Sequence, residues 1–571
     1  MTRGIIFQNR DAEEISPPPK KSEEVPEGGV WPAVINLLNT YHQIAVTQKQ
    51  REGVGIHVDE IASKVAFIYE RIRKIIDWKE ENLIRRAAIE RILKRRFIPR
   101  LSGIHFTPMP MAKEIAEPLV LELIRGGHLP NDSIAYDKIA KVEKILEKYI
   151  YFLENGNGKN KHHPDIKKKI NFYKWLWEEA ACEIEELLDP PEKEDALIAF
   201  MAAAMAQRIK ISSGLNLSEK DKTNQIFIAV HHSLFHLDSS LITFRLIKIK
   251  YPQWTSEDSK DWQELSSRLW QIREETDKEI NHPLSSEFHK ICEKYDTVYL
   301  ILGEILEKLA QEPKKAAADI TDEKFLEKEI DTVYHKRLST LKSRLFRAAI
   351  YSTLSILVAG AFSLFVVEVP LASLIYGKFS PLGIVADLLI PTVVMFALVA
   401  AVKLPKESNF RKVCEETKKI VYRRDHEDVY DIKPKKKRPL LVKVLISLLY
   451  FGINGAVLYF IFWAFYEAKI PVTSLFINTI NVAMIVFAGL IIRQKAKEMT
   501  VEEKTTFWEF LLDMLSIPVA KLGQWFSKKW REYNLVSVFL TALIDLPFST
   551  VIEFIENWSF FLKEKKAEIQ Q

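Results

Sequence analysis

Two histidines one helical turn apart form the clearest chemical motif in the first half of the chain. His232 and His236 lie in the segment HHSLFHLD, and side chains at this spacing share one face of a helix, where they could bind a metal ion together. They supply only half of a tetrahedral site, and Ser233 stands where the HExxH motif of metalloproteases has its catalytic glutamate. Two interpretations stay open: a metal-dependent enzyme, or histidines that pack in the core or face a partner.

No other segment shows legible catalytic chemistry. The segment NGNGKNK at 155–161 is rich in glycine, but one residue separates its glycines and Asn160 follows the lysine, so it does not match a phosphate-binding loop. The three cysteines, Cys182, Cys292 and Cys414, lack the spacing of zinc ligands and predict reduced thiols. We therefore expect no catalytic residue, no cofactor and no metal site.

A helix predicted at 58–97 ends in a dense group of basic side chains. They could bind phosphate groups or anionic lipids, or form a solvated face paired with Glu80, Glu81 and Glu90 at helical spacing. The formal net charge of the whole chain is only +5, with acids and bases interspersed, which argues against a dedicated nucleic-acid-binding protein. The basic residues are Arg85, Arg86, Arg91, Lys94, Arg95 and Arg96.

The elements that carry these residues are predicted to be helices. Apolar residues recur every three or four positions between residues 31 and 321, which predicts an all-α cytoplasmic domain without a sheet. Residues 1–30 contain the segment SPPP and a run of mixed charge, and this composition predicts a disordered tail rather than a signal peptide. At 571 residues, the chain has room for two or three domains.

Four apolar runs follow the helical domain, and each is long enough to cross a bilayer. A helix rises about 1.5 Å per residue, so roughly 20 residues cross ~30 Å of hydrocarbon. The runs form two hairpins, at 348–404 and 443–493, and we predict a four-helix transmembrane core. The four predicted spans are residues 348–368, 383–402, 443–466 and 473–493.

The distribution of positive charge predicts the orientation of this core. Basic residues precede the first span, fill the loop between the second and third spans, and follow the fourth. The two remaining loops carry one lysine each, Lys378 and Lys469. Because positively charged loops remain inside, both termini are predicted to be cytoplasmic.

Three polar residues lie inside the predicted spans. Asn454 and Asn481 fall near the middle of the membrane and could form a hydrogen bond across the second hairpin, with Gly452, Gly455 and Gly489 allowing the backbones to approach. They could instead belong to a substrate site. Asp387 lies about one turn below the outer surface, and an acid within a span is a candidate functional residue.

The segments between and beside the spans are predicted to be amphipathic or basic. Residues 322–347 form an amphipathic connector helix that continues into the first span, and residues 405–442 form a basic cytoplasmic loop. The end of this loop is predicted to contact anionic lipids, although the same charges also serve to fix the topology. The predicted lipid-contacting residues are Lys433, Lys435, Lys436, Lys437 and Arg438.

The C-terminal segment, residues 494–571, is rich in aromatic and basic residues. This mixture predicts amphipathic helices that lie on the inner membrane surface. Residues 535–562 are long enough for a fifth crossing, but Asp545, Pro547, Glu553 and Glu556 interrupt them, which favours an interfacial or shallowly re-entrant pair.

The polytopic core and the tryptophan-rich tail together resemble uncharacterised membrane proteins of bacterial candidate phyla. The resemblance rests on the segments LSIP at 515–518, DLPF at 545–548 and FFLKEKK at 560–566, and it covers at most the last 230 residues. It implies a location in a bacterial inner membrane and brings no activity with it.

These features predict a membrane-anchored scaffold or adaptor that acts through its cytoplasmic helical domain. The expected partners are anionic lipids and a protein partner or a second copy of the chain, and no nucleic acid. The alternative is an oligomeric small-solute channel or transporter with a cytoplasmic regulatory domain.

Overall fold

Nearly all of the secondary structure in the described part of the chain is helical. The computed structural model is 82% helix and 2% strand, which confirms the prediction of an all-α protein. It describes residues 29–51, 55–58, 84–101, 111–156, 166–212, 214–215, 217–363, 365, 370, 381–400, 402–423, 428–433, 439–467 and 472–501, and in the tail residues 507, 510, 514, 516, 517, 519–525, 554, 558, 561, 562, 565 and 566.

The chain divides into two compact units. Unit 1 comprises Met1–Thr321, Ile420–Ile432 and Thr541–Gln571, and unit 2 comprises Asp322–Lys419 and Lys433–Leu540. The elements described in unit 1 are α1 (Pro32–Arg51), α2 (Ile84–Leu101), α3 (Ala112–Arg125), α4 (Asp137–Asn155), α5 (Ile166–Leu188), α6 (Glu192–Arg208), β1 (Ile209–Ile211), α7 (Glu219–Phe235), α8 (Ser239–Lys250), a 3₁₀ helix (Pro252–Thr255), α9 (Ser259–Ile280), α10 (Ser285–Glu293), α11 (Asp296–Leu309), α12 (Pro313–Asp319) and β2 (Tyr430–Ile432). Those centred in unit 2 are α13 (Glu323–Ser363), α14 (Pro381–Ala400), α15 (Glu407–Val421), α16 (Leu440–Glu467) and α17 (Val472–Ala496).

Polar side chains start several helices of unit 1. The Ser218 hydroxyl accepts a hydrogen bond from the Asp221 amide (3.0 Å), and the Asp238 carboxylate accepts one from the Leu241 amide (3.2 Å). Each bond satisfies a backbone N–H that the first turn of a helix leaves without a partner, and such caps contribute about 1 kcal/mol.

Helix α5 lies in an apolar core of unit 1, where it contacts α2, α4 and α8. Its buried face carries Phe172, Leu176 and Ala180, and the Phe172 ring stacks on Trp270 with the ring centres 4.2 Å apart. Burial of such side chains is the main term that stabilises a helical bundle, because each large apolar group contributes roughly 1.5–3 kcal/mol.

A two-stranded parallel sheet is present in unit 1, so the prediction of a domain without a sheet was wrong. Ile209 pairs with Tyr430 and Ile211 pairs with Ile432, which places residues 430–432 of the predicted basic loop in unit 1. Strands of three residues are too short to show alternation in a sequence, and their partner is more than 200 residues away.

The side chain of Arg208 packs beside this sheet. Its guanidinium lies 4.4 Å from the ring centre of Tyr295 and 5.6 Å from that of Tyr430, and it forms an ion pair with Asp428 (3.4 Å). Stacking on two aromatic faces stabilises a buried guanidinium, so Arg208 joins the segment that contains β2 to the helices of unit 1.

One described helix is long and apolar enough to cross a membrane. It is α16, whose segment Leu440–Val457 has a mean hydropathy of 1.9 with none of the segment buried. In the described part of α14 the apolar stretch is shorter, at Leu389–Val399. The four-span core predicted from the sequence is therefore reduced, among the described residues, to a single helix that meets this requirement.

Candidate membrane anchor and its associated polar sites

Helix α16 exposes apolar side chains around much of its circumference. All ten residues from 440 to 449 are exposed, and Leu441 and Leu449 are each more than 60% exposed. Because successive residues are about 100° apart, these ten cover the whole circumference of the helix. A soluble helix buries one apolar stripe and turns a polar face to water, whereas a helix that is apolar all round requires an apolar surrounding. The described surface of α16 is therefore suited to hydrocarbon.

Helices α13, α14 and α17 contact one another, and α16 contacts α17. Met395 of α14 is buried against Ile485 and Ile492 of α17. The next residue on α14, Phe396, is 67% exposed, so the helix is apolar on both its packed side and its outer side. Helix α14 thus has an exposed apolar side, as α16 does.

The glycines of the predicted second hairpin do not act as the sequence suggested. A Cβ atom added at Gly452 or Gly455 would meet no atom of the described residues within 4 Å, so among these residues neither glycine makes the close helix contact that was predicted. A Cβ atom at Gly489 would lie 2.9 Å from Cδ1 and 3.1 Å from Cβ of Leu398. Gly489 therefore permits close packing between α17 and α14, rather than between α17 and α16.

A buried asparagine joins three segments of unit 2. The Asn409 side-chain amide donates hydrogen bonds to the Tyr334 hydroxyl (3.2 Å) and to the Met499 carbonyl (2.7 Å), and its carbonyl accepts one from the Val501 amide (3.0 Å). Asn409 is only 6% exposed, so these bonds satisfy polar groups that water does not reach. The sequence gives no signal for this cluster, because its members lie in α13, α15 and the segment after α17.

Charge pairs beside the asparagine hold α15 against the start of α13. Lys418 forms ion pairs with Glu323 (3.7 Å) and with Glu327, and the ring centres of Tyr334 and Phe410 are 5.2 Å apart. The charged half of α13 thus has a specific packing partner.

The structure describes only some of the residues that were predicted to contact lipids or to lie as polar groups inside the spans. Lys433 is exposed just after β2, whereas Lys435, Lys436, Lys437 and Arg438 lie outside the described residues. The backbones of Asp387, Asn454 and Asn481 belong to α14, α16 and α17, but their side chains also lie outside the described part, so the hydrogen bond predicted between the two asparagines remains a prediction.

A third histidine lies beside the predicted pair. The ring of His232 on α7 meets that of His289 on α10 edge to face, with the ring centres 4.4 Å apart. The preceding residue, His231, is buried, and its Nδ1 atom donates to the Phe227 carbonyl (2.8 Å). Among the described residues, no group of three or more histidine, cysteine, aspartate or glutamate side chains has the geometry to hold a metal ion.

Burial sets the protonation of several groups in this bundle. It lowers the pKa of His231 to about 3, with the Arg245 charge acting in the same direction, so the ring is neutral at physiological pH. Burial also raises the pKa of the Cys182 thiol well above its usual value, which keeps the sulfur protonated and unreactive. Neither group has the properties of a nucleophile or a general base.

Several arginines of α2 turn inward, against the prediction of a solvated face. Lys94 does pair with Glu90 (3.1 Å) at helical spacing, as that prediction had it, whereas Glu80 and Glu81 lie outside the described residues. Arg86 is 2% exposed, and its guanidinium forms ion pairs with Asp238 (2.6 Å) and Glu185 (3.8 Å). Arg95 pairs with Glu122, and Arg85 with Asp189. These arginines connect α2 to other helices of unit 1, so they are not available as one surface for phosphate groups.

A second buried network lies between α4, α5 and the 3₁₀ helix. Lys148 forms an ion pair with Glu183 (2.5 Å) and donates to the Trp254 carbonyl (2.7 Å), while the Tyr149 hydroxyl donates to Glu183 (2.9 Å). Sequence analysis missed this network. The position of Glu183 on the apolar face of α5 was the feature of the sequence that indicated this network.

One turn before Glu183, the carboxyl group of Glu179 is fully buried. Burial raises its pKa well above the usual value, and neither of its oxygens has a hydrogen-bond partner among the described residues. Burial therefore favours the neutral, protonated form of this carboxyl group.

Comparison of the chain with protein-family models, curated proteins and solved structures finds no significant match.

Proposed function

We propose that this protein is a multi-pass bacterial inner-membrane protein that acts as a membrane-anchored scaffold or adaptor through its cytoplasmic helical domain. The observation that carries the proposal is the exposed apolar surface of α16, a helix of 28 residues. Exposed apolar area costs about 25 cal/mol per Å² in water, and that cost is removed when the same area contacts hydrocarbon.

In the proposed arrangement, the apolar part of α13 together with α14, α16 and α17 forms four crossings in two hairpins. The mutual contacts of α13, α14 and α17 and the exposed apolar residues on α14 support membrane helices beyond α16. We further propose that the exposed Lys433 and the basic residues that follow it contact anionic lipid headgroups, where each basic residue contributes about 1 kcal/mol.

The Asn409 cluster supports an even number of crossings within each hairpin. Tyr334 precedes the first proposed crossing, Asn409 lies between the second and third, and Met499 follows the fourth. Because their polar groups are hydrogen-bonded to one another, all three segments lie on one side of the bilayer. The pairing of β1 with β2 supports the same arrangement within unit 1, since it joins the N-terminal domain to the loop between the hairpins.

The adaptor role rests on the construction of unit 1. Its helices are joined by buried ion pairs such as Lys148–Glu183 and Arg86–Asp238. Helical faces and grooves recognise protein segments, so we propose a protein partner or a second copy of the chain as the ligand of this unit.

Labelling with a membrane-impermeant thiol reagent tests the anchor. In a Cys414→Ser background, Ser380→Cys is expected to react in intact cells, and Lys433→Cys only after the membrane is permeabilised. Extraction of the unmodified protein by alkaline carbonate would contradict the anchor, and the reverse labelling pattern would contradict its orientation.

Purification of the tagged full-length protein in mild detergent tests the adaptor role. A partner that copurifies in stoichiometric amount, or a mass that corresponds to a dimer, is the expected result. A monomer without a partner that carries solute flux in proteoliposomes, with the flux abolished by Asp387→Asn or Asn454→Leu, would replace the adaptor with the channel.

A further inference from the structure

The tail that follows α17 has one close backbone contact with the middle of that helix. A Cβ atom added at Gly523 would lie 2.2 Å from the carbonyl oxygen of Ala483 and 2.9 Å from Cβ of Phe487. A gap this small admits only glycine, and small residues at such contacts are typical of helices that pack within membranes. The contact therefore fixes the position of the tail along α17.

Ala483 is far from both ends of α17. It lies 11 residues after Val472 and 13 before Ala496, which at 1.5 Å per residue is about 17 Å and 20 Å along the helix axis. If α17 crosses the bilayer, as proposed above, Gly523 lies near the midplane. A helix resting on the inner surface would instead meet the cytoplasmic end of α17.

The described residues between 507 and 525 are helical and divide into two opposite faces. Val519, Ala520 and Gly523 are buried, and at about 100° per residue they lie within one third of the circumference. The opposite side carries apolar residues that are exposed: Phe507, Phe510, Met514, Ile517 and Trp525.

This arrangement is the reverse of that in a helix of a soluble protein. The inner face of small residues packs on protein, and the outer face carries large apolar side chains at the depth of a membrane-spanning helix. Its exposed surface is therefore apolar, as is the exposed surface of α16. The hydrocarbon of the bilayer is the surrounding that fits both surfaces.

A lysine on the outer side also has a contact that suits this depth. The Lys521 amine lies 5.0 Å from the ring centre of Tyr450, which is ten residues after the start of α16. A cation over an aromatic ring is stabilised more strongly when it is removed from water, and the long side chain lets the amine reach toward the interface.

We infer that the helical residues described between 507 and 525 are embedded in the membrane, which they enter from the cytoplasmic side, and that they pack on α17 through Gly523 and present aromatic side chains to lipid acyl chains. This inference rests on the proposed membrane anchor, and it replaces the prediction of an interfacial helix for this part of the tail. The anchor then contains a further helix, beyond the two hairpins, that contacts both α16 and α17.

Quenching of a fluorophore by lipids tests the inference. In the Cys414→Ser background, an environment-sensitive fluorophore is attached to Ile517→Cys, to Leu448→Cys on the exposed surface of α16, or to Lys433→Cys outside the membrane. The proteins are reconstituted in phosphatidylcholine and phosphatidylglycerol vesicles that contain lipids with a nitroxide on the acyl chain. The label at position 517 is expected to be quenched within twofold of that at 448, and to be shielded from aqueous iodide.

The outcomes separate the two proposals. Iodide quenching at 517 with lipid quenching at 448 would overturn the embedded helix and leave the anchor standing, whereas iodide quenching at both positions would overturn the anchor itself. In the variant Gly523→Val, clash with the Ala483 carbonyl is expected to reduce lipid quenching at 517 to the level at 433, with no change at 448. Gly455→Val is the matched control. Equal lipid quenching at position 517 in Gly523→Val and in this control would show that the contact between Gly523 and α17 does not keep residue 517 in the membrane.

Discussion

The amide of Asn409 donates a hydrogen bond to the Tyr334 hydroxyl across 75 positions of the chain, with the donor and acceptor 3.2 Å apart. The same side chain also bonds the backbone at Met499 and Val501, so one buried residue satisfies polar groups from three segments. A side chain with this role has no close substitute, because only a primary amide donates twice and accepts at once.

Asn409→Ala is expected to destabilise unit 2 by about 2–4 kcal/mol, since it leaves three buried polar groups without partners. Tyr334→Phe removes only one of the three bonds and is expected to cost about 1 kcal/mol. Denaturant unfolding of the detergent-solubilised protein measures both. Equal losses for the two variants would show that the amide bonds to the backbone contribute nothing.

Gly489→Val is expected to separate α14 from α17, because the new side chain would overlap Leu398. Forcing a larger side chain into a packed site costs typically 1–3 kcal/mol. Gly455→Val is the matched control, since open space surrounds that glycine and valine is at least as good a helix former as glycine. Unfolding in detergent should distinguish the two variants, and a loss of stability at Gly455 equal to that at Gly489 would contradict the assigned helix contact.

The double variant Lys210→Cys, Asp431→Cys is expected to form a disulfide. The two residues are paired in the parallel sheet and both are exposed, so their Cα atoms lie within the range that a disulfide spans. Oxidation of membranes followed by non-reducing gel electrophoresis detects the cross-link through its faster mobility. The pair Lys210→Cys, Lys433→Cys, displaced by two residues along β2, serves as the control and should cross-link at least tenfold more slowly.

Sequence patterns predicted local features of this chain better than long-range ones. The helical repeat and the apolar run of α16 are properties of neighbouring residues, and both are present in the structure. The β1–β2 pair and the Asn409 cluster depend on residues far apart in the chain, so no window of the sequence contains them. Arg86 was misjudged for a related reason: its charge suggested a solvated face, whereas its partner Asp238 lies at the start of α8.

Stability of unit 1 should fall in mild acid because of His231. Burial lowers the pKa of this histidine to about 3 in the folded protein, whereas an unfolded histidine has a pKa of 6.5. Below pH 6.5 the unfolded chain therefore takes up a proton that the folded chain does not bind. The resulting loss in the free energy of unfolding reaches about 2 kcal/mol at pH 5, at 1.36 kcal/mol per unit of pKa.

His231→Asn removes this titration, and its amide can still donate to the Phe227 carbonyl in place of Nδ1. The variant is expected to lose about 2 kcal/mol less than the unmodified protein between pH 7.5 and pH 5 when urea unfolding is followed at each pH. His236→Asn is a suitable control, because His236 is exposed and has a left-handed backbone (φ 50°) that asparagine tolerates. A stability curve for His231→Asn that parallels those of the control and the unmodified protein would show that the buried ring takes up its proton without unfolding the domain.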